Sequence, residues 1–249
     1  EFNVTIVFDE PLDSLKASMV NNYSISNGGT VVSVVAIPPF FNRVSLRVSN
    51  AFQSNKVYVI TASGVSDCSG NTISNFNTCK LGLPSTPDSM DVVINEILFN
   101  PKQTGTDYIE LYNKSSKIIN LKDLFLANRN NTGTIGSLKN ISIDNCLLFP
   151  DEYIVVSENA SIVKSQYLAK NIDAFITIPA IPSYPDDKGN VILLNNIGQV
   201  VDELNYDAKW HFALLDNKEG VSLERIDFNK PTNDPDNWTS AASTVGFGT

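Results

Sequence analysis

The chain has 249 residues, with 18 Lys and Arg against 27 Asp and Glu, a formal net charge of −9 and only 18% charged residues. A sequence pI near 4.6 without a Lys/Arg cluster argues against nucleic acid, whose phosphates need neutralising, and against an anionic membrane surface. The single histidine, His211, excludes a three-histidine zinc site and an HExxH helix, and any Ser/His/Asp triad has to use it.

The length suggests one or two domains, and the 42% apolar content is that of a folded protein. No glycine-rich phosphate loop occurs, and no apolar run reaches the 18 residues of a membrane span. The first residues, Glu1 to Thr5, already alternate like a strand, and Gly246-Phe247-Gly248-Thr249 closes without an element. Both ends look cut, so a piece of a longer multidomain protein is expected.

Strand signals follow in chain order. Val4–Phe8 precedes a turn at Asp9-Glu10-Pro11, and Asp13–Met19 reads as one short helical turn capped by Asp13 or Ser14. Thr30–Ala36, Arg43–Val48 and Val57–Ala62 alternate or are β-branched. Cys68 and Cys79 flank the turn Ser69-Gly70-Asn71 and are placed to close a short loop by a disulfide, worth roughly 2–3 kcal/mol in the chain-entropy model. Cys146 reads as a lone buried thiol.

Periodicity stops at 82–90, where Pro84 and Pro87 stand among small polar residues. This predicts a short stiff linker at 85–90 between a domain of residues 1–84 and one of 91–249. Strands resume at Asp91–Phe99, Tyr108–Asn113, Tyr153–Val156, Asn190–Leu194, Val200–Leu204 and Val221–Ile226, with a helical turn at Ala160–Tyr167. The predicted class is all-β: two Ig-like β-sandwich domains joined by a Pro-containing linker.

The first segment resembles the bacterial SbsA-type Ig-like domain. The resemblance rests on Val4–Asp13, Asn22–Ile25, Tyr58–Thr61 and above all Gly64-Val65-Ser66-Asp67-Cys68-Ser69-Gly70-Asn71-Thr72-Ile73. The second resembles the lamin tail domain in its bacterial form. Its opening is Ile94-Asn95-Glu96-Ile97, Asn100-Pro101 and Asp107–Asn113. Ile119-Asn120-Leu121, Pro150–Val156 and Leu193–Asp202 follow, and the ending is Gly220–Asp227 through Pro231–Trp238. The pairing resembles secreted or outer-membrane-associated proteins of Bacteroidetes-type bacteria. It implies extracytoplasmic modules without catalysis or cofactor, used for spacing, presentation or adhesion to a surface protein or glycan. The rival expectation is a pair of accessory domains in a larger secreted hydrolase or nuclease.

Four features carry candidate chemistry. Glu96 and Glu110 sit mid-strand among apolar residues and suit either acid–base or metal work, or a structural role with bound N–H groups, which is favoured. Asp227, Asn229, Asn233, Asp234 and Asp236 are weak calcium ligands without EF-hand spacing. The favoured alternative is a pair of Asx and proline turns anchoring Trp238. Pro185–Asn190 is a second acidic loop that reads as hairpin chemistry. His211, between Trp210 and Phe212, reads as packed rather than catalytic. Ile37–Phe41 and the inserted loop Ile178–Pro185 are apolar stretches that either meet a partner or fold back. Seven Asn-x-Ser/Thr sequons follow from the abundance of Asn, Ser and Thr.

Overall fold

Alternation of small β-branched and polar residues gives the first unit its faces. In the computed structural model, which describes residues 2–49, 52–246 and 248, the chain divides into two compact units, Glu1–Leu83 and Pro84–Thr249. The expectations that fell on Glu1, Phe247 and Thr249 lie outside the described residues.

The first unit runs β1 (Phe2–Val7), α1 (Ser14–Ala17), β2 (Tyr23–Ile25), β3 (Val31–Ala36), β4 (Arg43–Val48), β5 (Tyr58–Ala62) and β6 (Thr78–Leu81). Two three-stranded antiparallel sheets result, β1-β4-β3 and β2-β5-β6. Val44, Leu46 and Val48 of β4 and Tyr58, Ile60 and Ala62 of β5 are buried while the residues between them are less so, the period-2 pattern of a half-buried strand. Asp13 caps α1, accepting from the backbone N–H groups of Leu15 and Lys16 at 2.9 and 3.1 Å.

Cys68 and Cys79 are separate thiols, not the disulfide expected from their spacing. The Cys68 thiol is turned to the Leu12 carbonyl at 3.7 Å, while Cys79 sits in β6 in register with Ile60 of β5. The turn between them is closed instead by Asp67, whose side chain accepts from the N–H groups of Ser69 and Asn71.

The second unit runs β7 (Val92–Leu98), β8 (Tyr108–Asn113), β9 (Ile119–Asn120), β10 (Leu124–Ala127), β11 (Lys139–Asn140), β12 (Leu147–Leu148), β13 (Tyr153–Ser157), α2 (Ala160–Gln166), β14 (Phe175–Thr177), β15 (Lys188–Asn195), β16 (Val200–Asp207), β17 (Leu223–Arg225) and β18 (Trp238–Ser240). A six-stranded sheet, β14-β13-β8-β7-β17-β18, and a four-stranded sheet, β11-β10-β15-β16, share one core, with β12-β9 as a small third sheet. All pairings are antiparallel except β13 with β14, which are joined by the α2 crossover. Residues 85–90 are tied to this unit: Ser85 N–H donates to Ile118 O, Met90 N–H to Val201 O, and Asn195 Nδ2 to the carbonyl of buried Pro87.

Strand β7 is buried along its whole length, so both of its faces are covered. Its core-facing residues are Val92, Ile94, Ile97 and Phe99, a spacing that breaks parity once. The break is a bulge: Ile94 pairs with Leu111 and Glu96 with Glu110, leaving Asn95 as the extra residue. Without it Glu96 would follow Val92 and Ile94 into the core.

Buried charge holds the bulge. Asp202 on β16 accepts from Ile94 N–H at 2.8 Å, and Arg225 Nε on β17 donates to Ile94 O at 2.7 Å. Arg225 Nη2 also reaches Asp202 at 3.0 Å and Thr232 Oγ1 at 2.9 Å, and its guanidinium lies over the Trp238 ring. Both charged side chains are almost wholly removed from water. Burial raises the Asp202 carboxyl and lowers the Arg225 guanidinium, so desolvation outweighs their mutual attraction on both sides.

Such a pair is costly to break from one side. Arg225→Met leaves the Asp202 carboxylate buried alone and is expected to destabilise the second unit by about 3–5 kcal/mol in urea unfolding. Adding Asp202→Asn to Arg225→Met is expected to return a good part of that loss. The chain's two tryptophans, Trp210 and Trp238, both lie in the second unit, so their fluorescence isolates this transition.

Candidate functional site

The bulge decides what the outer face of the six-stranded sheet presents. Register places Glu224 of β17 opposite Glu96 of β7, and Glu96 opposite Glu110 of β8. Three carboxylates therefore stand in one rung across three adjacent strands. Like charges side by side repel, and the protonation of Glu96 reflects it. Its carboxyl is pushed up to about 7, first by burial, then by Glu110 and to a lesser degree Glu224, against hydrogen bonds from Ser222 and Tyr108. The Tyr108 hydroxyl donates to Glu96 Oε1. Asn95, the bulged residue, donates from Nδ2 to Glu110 Oε1 at 2.7 Å.

The rung floors a groove of about 680 Å³. Tyr153 and Val155 of β13, the segment 168–175 between α2 and β14, and Leu147–Leu148 line it further. Tyr153 keeps 40% of its surface exposed. It stacks on Tyr112 at 4.4 Å, and Tyr112 in turn packs on Phe228 at 4.4 Å while its hydroxyl donates to Asp151 Oδ1.

The other candidate residues belong to the framework. Asp227 Oδ1 accepts from Asn229 N–H, and Asp234 Oδ1 from Asp236 N–H. Asn233 bridges to β16, accepting from Asn205 N–H at 2.7 Å and donating to Glu203 O at 3.1 Å. The fully buried Asn237 donates to the Asp227 carbonyl and accepts from Asp227 N–H, and Trp238 Nε1 donates to Thr232 O at 2.7 Å. The run 227–238 is thus a set of Asx turns that seats Thr232 and Trp238 against the Asp202–Arg225 pair. Among the described residues, no three or more His, Cys, Asp or Glu side chains gather in a metal-binding arrangement.

Asp186–Asn190 is not the hairpin turn expected. Its last three residues already belong to β15, whose Gly189 lies opposite Tyr206, where a Cβ would collide with the tyrosine hydroxyl. The hairpin falls at 195–199, where Asn195 Oδ1 accepts from the N–H groups of Ile197 and Gln199 and Gly198 takes a φ of +80°. The inserted loop folds back: Ile178 and Tyr184 are buried in the core. In the other apolar stretch, Phe40 is exposed and Phe41 packs on the first unit's core. Cys146 is half-buried and packs against the second unit's core.

His211 is buried beside Phe99, and its Nδ1 lies 2.9 Å from Ser240 Oγ, which also accepts from Phe212 N–H. Serine thus occupies the nitrogen that a triad reserves for its carboxylate. Burial, with Lys218 adding, lowers the imidazole to about 4, so it is neutral at pH 7.

Of the carboxylates on the rung, sequence reasoning singled out Glu96 and Glu110. Glu224, Asn95 and Tyr153 were missed as site residues. The parity break Val92, Ile94, Ile97, Phe99 was the available signal, since a polar pair interrupting an apolar strand marks a bulge.

Opposed pH dependences follow. Glu96 titrates near 7 when folded and 4.5 ordinarily, so its contribution is complete below about 4.5 and lost as pH rises to 7. Asp107, raised to about 7 by burial, Asp186 and Glu158, acts in the same sense. His211, at about 4 against 6.5, contributes above 6.5 and loses that contribution as pH falls to 4. Glu96→Gln is expected to reduce the loss of stability between pH 5 and pH 8 by about 3 kcal/mol. His211→Asn, which keeps an acceptor for Ser240, is expected to flatten the acid side. Urea unfolding followed by tryptophan fluorescence checks both.

No curated protein matches the chain. A solved structure of a DUF4876 family protein from Bacteroides thetaiotaomicron VPI-5482 is similar over 98% of this chain and 92% of that one, at 11% identity and a TM-score of 0.37. No helix is long and apolar enough to cross a membrane among the described residues. The all-β, Ig-like class holds, and within the second unit residues 85–208 match the family model of the Lamin Tail Domain, a match that ends at β16, before β17 and β18 complete the six-stranded sheet.

Proposed function

We propose that the chain is a non-catalytic, extracytoplasmic pair of modules, an SbsA-type Ig-like domain followed by a lamin tail domain, that works by spacing, presentation or adhesion to a surface protein or glycan. The observation that supports this reading is the use of the reactive side chains as framework. His211 is neutral, buried and bonded to Ser240, and the acidic run 227–238 directs its side-chain oxygens to backbone N–H groups. The Lamin Tail Domain match over 85–208 and the Ig-like architecture fit a module of this kind.

The direct test is binding of the purified chain to immobilised glycans and to surface proteins from the source cell. Specific, saturable capture is expected; failure to bind either, together with an enzyme domain elsewhere in the parent protein, would favour the accessory-spacer form. A calcium titration followed by thermal unfolding tests the rival reading of loop 227–238. No shift is expected at about 1 mM calcium, a level at which weak extracellular calcium sites fill. A rise in melting temperature abolished by Asp227→Asn would overturn this account of the loop.

A further inference from the structure

We propose that the groove on the outer face of the six-stranded sheet binds a carbohydrate chain that is neutral or carries amino groups. The inference rests on the reading of this chain as a binding or presenting module and names the class of ligand.

A sugar ring is amphipathic: its C–H faces are apolar and its edges carry hydroxyl groups. A site for it needs a rigid aromatic face and fixed hydrogen-bonding groups beside it. The groove supplies both. Its volume of about 680 Å³ lies within the range of small-molecule sites. Tyr153 lines the groove and keeps 40% of its surface exposed, yet its ring is braced by the Tyr112–Phe228 stack. A braced aromatic ring contributes contact area at small conformational-entropy cost.

The floor supplies the polar half. Glu110 and Glu224 bring carboxylates to the groove floor, and Asn95 fixes Glu110 in place. These groups sit on the central strands of a sheet, not on loops, so their spacing is set by the ladder.

Charge narrows the ligand. A uronic acid or a sulfated sugar would bring a further negative group to a rung that already holds three carboxyls, and like charges in a partly dry site repel strongly. Hydroxyl and amino groups instead donate to those oxygens. A purely cationic peptide would pair with the acidic lining of Glu110, Asp151, Glu152, Asp173 and Glu224, but it would leave the Tyr153 ring and the apolar walls of Leu147, Val155 and Ala174 unused, so poly-lysine serves as the competing probe.

The test is affinity electrophoresis of the whole chain in native gels containing mannan, dextran, xylan, glycol chitosan or polygalacturonate, with poly-lysine as a further probe. Retardation in at least one of the first four gels and none in polygalacturonate is expected. Tyr153→Ala and Glu224→Gln are each expected to weaken it about tenfold or more, as loss of an anchor does. Tyr153→Phe keeps the ring and is expected to bind like the parent, as is Phe212→Ala, a surface change outside the groove. Unchanged tryptophan fluorescence shows that each variant is folded. Absence of retardation in all four gels overturns the inference, as does binding that Tyr153→Ala leaves intact, or binding of poly-lysine alone. If the chain still adheres to source-cell surfaces and Tyr153→Ala adheres equally, the groove assignment falls while the module reading stands.

Discussion

Everything on the outer face of the second unit depends on one buried grip. Asp202 and Arg225 come from opposite sheets and hold the two sides of a single peptide residue, Ile94, by its N–H and its carbonyl. A strand interior offers no reason for a charge, and burial penalises both partners. What the grip does is fix a register. It holds the chain where one extra residue, Asn95, is accommodated, and from there every side chain of β7 changes face. Glu96 leaves the core, Ile97 enters it, and a row of three carboxylates forms across the sheet. The run 227–238 belongs to the same device, because Thr232 accepts from the guanidinium and the Trp238 ring packs over it.

Much of this was legible in the sequence where local physics is decisive. The period-2 pattern of Arg43–Val48 and the β-branched run Val57–Ala62 gave strands at nearly the observed bounds, and Asp13 capped its helical turn as its side chain demands. Asn159 does the same for α2. The all-β class followed from these. What stayed hidden was decided by partners far away in sequence. Strands β14 and β18 are three residues each and owe their extension to β13 and β17. The disulfide expectation failed because spacing along the chain says nothing about where two thiols point. The hairpin misreading arose because Lys188-Gly189-Asn190 has turn chemistry, while Gly189 is there to admit the ring of Tyr206.

The candidate site shows the same division. Glu96 and Glu110 could be picked out as carboxylates in apolar company, but not as neighbours in one rung with Glu224. That adjacency exists only once the bulge sets the pairing. The aromatic brace Tyr153–Tyr112–Phe228 joins residues from β13, β8 and the loop after β17, so no window of sequence contains it. Conversely, the acidic run 227–238, rich in oxygen-bearing side chains, is committed to its own turns.

Asn233 carries a consequence beyond the turn it belongs to. Strand β16 is eight residues long and lies at the border of its sheet, with a row of backbone groups facing outward. A border of that length is a template on which another chain can lay down a strand, the first step toward swapped or fibrous assemblies. The Asn233 amide sits there as a counterfeit strand residue, accepting from Asn205 N–H and donating to Glu203 O as a neighbouring backbone would. Met90 N–H closes another position at Val201 O. The sheet is thereby ended by side chain and connector, and copies crowded together at high local density are kept from knitting into one another.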